Sequence, residues 1–199
     1  MRSDWSDAGR RLNVDYVATG SVRSLTGRIV VSVEIDPPRG ATPGALLEKA
    51  QYCQENEIDA INVADGPRAS ARMSAQAMCV LLQTQVGIDT ILHYTCRDRN
   101  LLGIQSDLLG AHALGLRNIL AITGDPPKLG TYPDATAVVD MDAIGLVNLI
   151  NRINHGLDLA GNKIGSPTGL CVGVGVNPGA INLDEELRRL DWKVEAGAE

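Results

Sequence analysis

The chain has 199 residues, 44% hydrophobic and 21% charged, which is enough apolar content for a sizeable core. Its net charge of −6 argues against a nucleic-acid or anionic-membrane surface, and no apolar run approaches the ~20 residues of a membrane span. Phe is absent and aromatics are 3%, so the core must be aliphatic.

Residues 1–28 are polar, without sustained periodicity or the apolar stretch of a signal peptide, and read as a leader or linker. The stretch Ile29–Gly40 follows, IVVSVEIDPPRG. Ile29, Val30, Val31 and Val33 predict a buried strand, Glu34 stands where the apolar run is ending, and Pro37-Pro38 stops the ladder. Pro43-Gly44 opens a helix carrying Leu46, Leu47, Ala50 and Cys53, with Thr42 as the expected N-cap and Pro43 at the first helical position. Ala60, Ile61 and Val63 make a second strand, ended by Asp65-Gly66-Pro67. A helix is predicted over about 69–84, with Met73, Ala77, Val80 and Leu81 on one face. Ile88 to Leu92 form the third strand, after which come His93, Tyr94, Thr95 and a charged turn. A helix over about Leu101–Leu114 closes at Gly115. The fourth strand is Asn118–Ile122, followed by TGDPPK, a loop and a helix over about Asp142–His155. Strand five is Leu170–Val176. NPGAINL and a helix from about Asp184 follow.

The first four strands start roughly 30 residues apart, the length of one βαβ unit. Strict alternation with near-continuous apolar strands predicts an α/β fold with a buried parallel sheet. Two architectures fit, a doubly wound open sheet and a (β/α)8 TIM barrel. No GxGxxG follows the first strand, so the dinucleotide-binding open sheet lacks its main signal. Polar residues recur at successive strand ends, namely Glu34, Asp65, His93 with Thr95, Asp125 and Asn177, and barrel active sites are built at that end. Each alone could be a solvated loop residue or a cap. A complete barrel has eight units, and this sequence supplies about the first five, so residues 29–199 read as the N-terminal five-eighths of a barrel.

Among these residues Glu34 is the best acid. A carboxyl desolvated by strand neighbours is pushed toward neutrality, as general acid catalysis requires. The plainer alternative is a carboxylate paired with Arg39 or Lys128. Asp125 is held in a stiff turn by a Gly and two prolines, where it could meet a substrate or a cofactor ring edge, or simply form the turn. His93 lacks a second His or Cys nearby, so a hydrogen bond to cofactor or backbone is expected of it, not a metal. Arg97, Arg99 and Lys128 follow strand ends, where they could neutralise a pyrophosphate or stand as solvated charges. Cys53, Cys79, Cys96 and Cys171 are far apart, with no CxxC pair and no Cys/His cluster. They read as buried free thiols of a reducing, cytoplasmic protein with no metal site.

The segments VSVEIDPPRG, INVADGP, HYTCRDRN, ITGDPPK, VNPGA and WKVEAGAE, in this order and spacing, resemble the methylenetetrahydrofolate reductase family. They are most similar to the reductase part of bacterial bifunctional proteins that also carry a homocysteine S-methyltransferase domain. The resemblance runs from about Ile29 to the C-terminus. It implies a TIM barrel with non-covalent FAD, which NAD(P)H reduces and which passes hydride to 5,10-methylenetetrahydrofolate to give 5-methyltetrahydrofolate for methionine biosynthesis. Carried over by position, Glu34 matches the catalytic glutamate that promotes opening of the folate ring, and Asp125 the aspartate near flavin and folate. His93, Thr123 and Gly124 match flavin-contacting positions. Asn177 and Ala180 lie in NPGA, where other members read HPEA. Lys193 matches a basic residue near the cofactor phosphates, with Glu186 and Arg189 in neighbouring contact positions. Ala64 and Asp65 stand where others have a Thr-Tyr pair, which puts Ala64 beside the substrate and Asp65 beside the cofactor. The resemblance also implies partners: the folate, and a second copy or the missing C-terminal or methyltransferase portion, which would cover the apolar sheet edges. Two other classes stay open. One is a flavin-free barrel lyase or aldolase using Glu34 and Asp125. The other is a truncated, inactive flavin-binding fragment.

Overall fold

The structure is a computed structural model that describes residues 31–199. The proposed leader at 1–28, and Ile29 and Val30 of the first strand pattern, lie outside the described residues. Five strands form one sheet: β1 (Ser32–Ile35), β2 (Ala60–Val63), β3 (Asp89–Thr95), β4 (Asn118–Ile122) and β5 (Cys171–Val174). All neighbours are parallel, and the spatial order is β1-β2-β3-β4-β5, the order of the sequence. Parallel crossovers are right-handed. A sheet that never reverses its order therefore sends every crossover helix to the same face. This bears out the barrel reading over the doubly wound alternative: it is the winding of a (β/α)8 barrel carried through five units, and a doubly wound sheet would reverse.

The connecting helices are α1 (Gly44–Glu55), α2 (Ala75–Leu81), α3 (Leu101–Ala113), α4 (Ala143–Asn154) and α5 (Leu183–Glu195). Alternation along the strands sorts the side chains. Val33, Ile35, Ile61, Val63, Leu92, Tyr94, Ile119, Ala121 and Val172 form the outer face and are buried against helices. Met78, Leu82, Ile104, Leu108, Leu146, Leu149 and Ile150 meet them from the helices, so the core is a layer between sheet and helices. The opposite, inner face carries Glu34, Asn62, Ile91, Asn118, Leu120, Ile122, Cys171 and Gly173, all half-buried. β1 pairs only with β2, and β5 only with β4, among the described residues. After α5 the Glu199 N–H donates to Val172 O at 2.9 Å, returning the chain to the edge of β5.

Several local expectations need correction. Pro43, not Thr42, is the N-cap of α1: its own backbone is already near-helical, and its carbonyl accepts from the N–H groups of Leu46 and Leu47. The helix predicted over 69–84 begins only at Ala75, because Gly66, Arg68 and Ala69 adopt left-handed φ and Ser74 caps the helix by accepting from Ala77 N–H. The fully buried residues of this helix are Ala75, Met78, Cys79 and Leu82, with Met73 and Val80 partly buried against the core and Ala77 exposed. β3 runs on to Thr95, so His93, Tyr94 and Thr95 belong to the strand instead of following it. β5 is shorter than the predicted Leu170–Val176. Cys53, Cys79 and Cys96 are free and buried, and burial pushes the Cys79 thiol up to about 12. Cys171 is half-buried on β5. No helix of the described residues is long and apolar enough to cross a membrane.

Candidate active site

Parallel register places Glu34 opposite Asn62, in a row that continues through Ile91, Asn118 and Cys171. The next row is His93, Leu120 and Gly173. These rows form a floor that is apolar at Ile91 and Leu120, flat at Gly173 and polar at the β1–β3 side. Three strands join there in a chain of side-chain hydrogen bonds. Asn62 Nδ2 donates to Ser32 Oγ at 2.9 Å, and Asn62 Oδ1 lies 3.3 Å from His93 Nε2. Burial pushes the His93 imidazole down to about 4, with the Asp65 carboxylate opposing more weakly. His93 is therefore neutral at physiological pH. Asn62 and Ser32 were not singled out in the sequence, although an Asn in the middle of an apolar strand pattern is a signal that could have been followed.

Glu34 forms no ion pair with Arg39 or Lys128, so the paired-carboxylate alternative is not what the described residues make. Its pKa is raised, chiefly by burial and then by the neighbouring Asp36. Asp36 is itself held by Arg72 at 3.0 Å.

The loop after β2 is the keystone of this end of the sheet. Arg72 Nη1 donates to Pro37 O at 2.8 Å and Met73 N–H to Pro38 O at 2.9 Å, which ties it to the loop after β1. Arg68 N–H donates to Asp125 Oδ2 at 3.0 Å, and Ala71 N–H to Thr131 Oγ1 at 3.3 Å, which ties it to the loop after β4. Asp65 joins it to β3, accepting from Thr95 N–H and Thr95 Oγ1, each at 3.0 Å, and from Arg99 Nη1 at 2.8 Å. The Asp65 carboxylate is thus largely committed inside the protein. Ala64 is buried, and its N–H donates to Ile35 O at 3.0 Å.

Arg97 and Arg99 are not solvated, nor do they point free charge at a pyrophosphate. Arg99 bridges Asp65 and Asp107, at 2.8 and 3.1 Å, over the Tyr94 ring. Arg97 is buried, forked onto Asp98 and bonded to two loop carbonyls. Besides the nearby Asp98 and Asp107, their partners Gly66, Asp125 and Asp65 lie about thirty residues away in the neighbouring βα units, which the local sequence does not show. A cleft of about 340 Å³ opens between these loops, lined by Arg72, Arg97, Arg99 and Tyr132 among others, but not by Glu34, His93 or Asp125. Every guanidinium on it faces a carboxylate, so the cleft offers an anion no unpaired guanidinium.

The remaining expected residues fall on the β4 and β5 side. Thr123 Oγ1 accepts from Ala143 N–H at 3.2 Å at the start of α4. Gly124 has φ +92, and a Cβ there would lie 3.0 Å from Thr95 Cβ, so the close approach of two strand ends requires glycine. Asn177 N–H donates to Glu186 Oε1 at 3.0 Å, and Ala180 N–H to Asn177 O at 3.1 Å. Lys193 is buried, with Nζ donating to Gly175 O at 2.7 Å and Glu186 4.0 Å away. Arg189 Nη2 donates to Asp142 Oδ2 at 3.0 Å. Burial acts to raise the Asp142 pKa, but the Gly145 N–H, Arg189 and the Ile144 N–H outweigh it and hold the carboxyl low. The residue set fits a flat, partly apolar heteroaromatic group: Ile91, Leu120, Ile122 and Gly173 would hold its face, with His93, Thr123 and Asn177 at its polar margin. Among the described residues no cluster of His, Cys, Asp and Glu could hold a metal ion.

A family model described as methylenetetrahydrofolate reductase matches residues 21–199, so the match begins inside the stretch expected as a leader. A 5,10-methylenetetrahydrofolate reductase of Pectobacterium carotovorum is 25% identical over 183 residues, covering 89% of this chain and 55% of the relative. A probable methylenetetrahydrofolate reductase (NADH) of Oryza sativa is 26% identical, covering 87% of this chain and 30% of the relative. A probable methylenetetrahydrofolate reductase (NADPH) of Caenorhabditis elegans is 27% identical, covering 84% and 24%. The chain therefore spans about half the length of the first of these relatives and less of the other two.

Proposed function

The chain belongs to the methylenetetrahydrofolate reductase family, and from that we propose that its inner face is part of a site that reduces 5,10-methylenetetrahydrofolate to 5-methyltetrahydrofolate with NAD(P)H and FAD. The carrying observation is Glu34: a half-buried carboxyl at the end of β1, without an ion pair to Arg39 or Lys128, raised in pKa by burial and by Asp36. Such a group keeps its proton to higher pH than an ordinary Glu and can hand it to a ring nitrogen. Protonation of the folate's bridging nitrogen by Glu34 opens the five-membered ring to an iminium cation, which is the hydride acceptor. Asp125, exposed but held in place by the Arg68 N–H, favours that cation electrostatically.

FAD, when bound, supplies the two-electron relay between nicotinamide and folate. The chain's own part is to hold it. By their positions in the family, His93 (neutral and oriented by Asn62), Thr123, Gly124, Asn177 and Ala180 would meet its ring region, and Lys193, Arg189 and Glu186, which pair within the protein, would lie near its phosphates. Ala64 borders the folate, and Asp65 keeps the loop beside it in place. The printed names of the relatives divide between NADH and NADPH at nearly equal identity, so the reductant stays NAD(P)H. We also propose that the barrel is completed by further strands beyond β5, a second copy or a joined methyltransferase portion, and that the protein is cytoplasmic.

The test is reconstitution. Purified protein incubated with FAD should turn yellow, absorb near ~450 nm by the flavin chromophore, bleach with NAD(P)H and recolour with 5,10-methylenetetrahydrofolate. A protein that takes up no FAD, alone or with the missing strands supplied in trans, would instead favour the flavin-free lyase or aldolase. One that binds FAD but never recolours would be the inactive flavin-binding fragment.

A further inference from the structure

We propose that Arg97 is a positioning residue for Asp125. This inference rests on the functional reading above for the role of Asp125. The Arg97 side chain is buried at the centre of three βα loops. Its Nε and Nη2 fork onto Asp98 Oδ1 and Oδ2 at 2.8 and 2.6 Å, which fixes the guanidinium plane. Its Nη1 is then shared between two backbone carbonyls, Gly66 O and Asp125 O, each at 3.3 Å. The same residue's carbonyl accepts from Val138 N–H at 2.9 Å, beyond Asp125 in the β4 loop.

The carbonyls Arg97 joins belong to the two segments that hold the Asp125 carboxylate. Gly66 opens a run in which Gly66, Arg68 and Ala69 have φ of +54, +54 and +50. For Arg68 and Ala69 that conformation is strained and persists only if the surroundings enforce it. The strain has a visible result: it turns Arg68 N–H onto Asp125 Oδ2 at 3.0 Å. The far end of the run is clamped too, since a Cβ on Gly130 would lie 1.9 Å from Ala69 O. Gly66 itself has no room for a side chain, because a Cβ there would lie 2.8 Å from Arg97 Nη2. Arg97 thus staples the β2 loop to the β4 loop beside the point where one loop's amide grips the other's carboxylate. Lysine carries the charge but not the planar fork, and cannot hold Asp98 bidentately and both carbonyls at once.

The experiment compares wild-type protein, R97K, D125N and the double variant, loaded with FAD, in the two half-reactions. R97K should slow flavin reoxidation by 5,10-methylenetetrahydrofolate ten-fold or more, while flavin reduction by NAD(P)H changes less than three-fold. In the D125N background R97K should add nothing. Equal losses in both half-reactions, or a double variant slowed by the product of the single effects, would overturn the inference. A second readout needs no turnover: hydrogen exchange at the Arg68 amide should quicken about ten-fold in R97K and in D125N, with β3 and α3 protected as in wild type. If Arg68 exchange is unchanged in R97K the inference fails, whatever the activity. If exchange quickens and the wild type has no reductase activity, the functional reading alone fails. Should R97K not fold, D98N releases the same fork from the exposed side, and unchanged Arg68 exchange there would equally refute the staple.

Discussion

Ile119 and Leu120 are neighbours on β4 and point to opposite sides of the sheet. Ile119 is 1% exposed, locked between strand and helix layers; Leu120 is half-buried on a floor shared with His93 and Gly173. The same contrast runs through every strand. The outer face is mostly aliphatic and closed, with Tyr94 and Thr90 buried on it as well. The inner face mixes Glu34, Asn62 and Asn118, all partly accessible, and a buried His93 with apolar residues. The outer face holds the fold, and the inner face is where the chemistry is proposed. A carboxyl or imidazole on the outer face would be a cost without a use.

The contrast can be broken by measurement. Ile119→Ala should lower the unfolding free energy by about 4 kcal/mol in urea titration, since it removes buried methylenes and leaves a cavity in a closed layer. The next effect is pH-dependent and belongs to the inner face. The His93 folded pKa of about 4 lies below the unfolded value of 6.5. The unfolded chain therefore binds the proton more readily between these values. The stability conferred by neutral His93 is complete above about pH 6.5 and is lost as pH falls toward 4, by roughly 3 kcal/mol. Urea midpoints across that range should fall more steeply for wild type than for His93→Gln; parallel curves would mean that His93 is not buried neutral. Smallest is Leu120→Ala, expected at about 1 kcal/mol because part of its surface already meets solvent and the site is not closed. A cost equal to that of Ile119→Ala would erase the distinction between the faces.

Much of this contrast is legible in the sequence. Alternating strands and helices at about thirty-residue spacing gave parallel βα units, and Glu34 stood out as a carboxylate inside an apolar run. The order of the strands followed, and the segment resemblance pointed to the family that residues 21–199 match. What could not be read was how loops meet. Nothing near Asp65 in sequence says that Thr95 and Arg99 will occupy its carboxylate. Nothing near Arg97 says that Gly66 and Asp125 will accept from it. The start of α2 was missed for the same reason. Left-handed φ at Arg68 and Ala69 is imposed by the packing of the β2 loop on Asp125 and Gly130, against the local preference of both residues. The Ser32–Asn62–His93 chain depends on register, which fixes which polar side chains share a face only once the strands are paired.

The most direct test of the inner face as a reductive folate site is Glu34→Gln in FAD-loaded protein, followed in separate half-reactions. The substitution keeps shape and removes the proton donor. Flavin reduction by NAD(P)H should stay within about three-fold of wild type, while reoxidation by 5,10-methylenetetrahydrofolate should fall by about 10²- to 10⁴-fold, the range for loss of a general acid. Equal loss of both half-reactions, or folate reduction at the wild-type rate, would contradict the assignment of Glu34 as the acid.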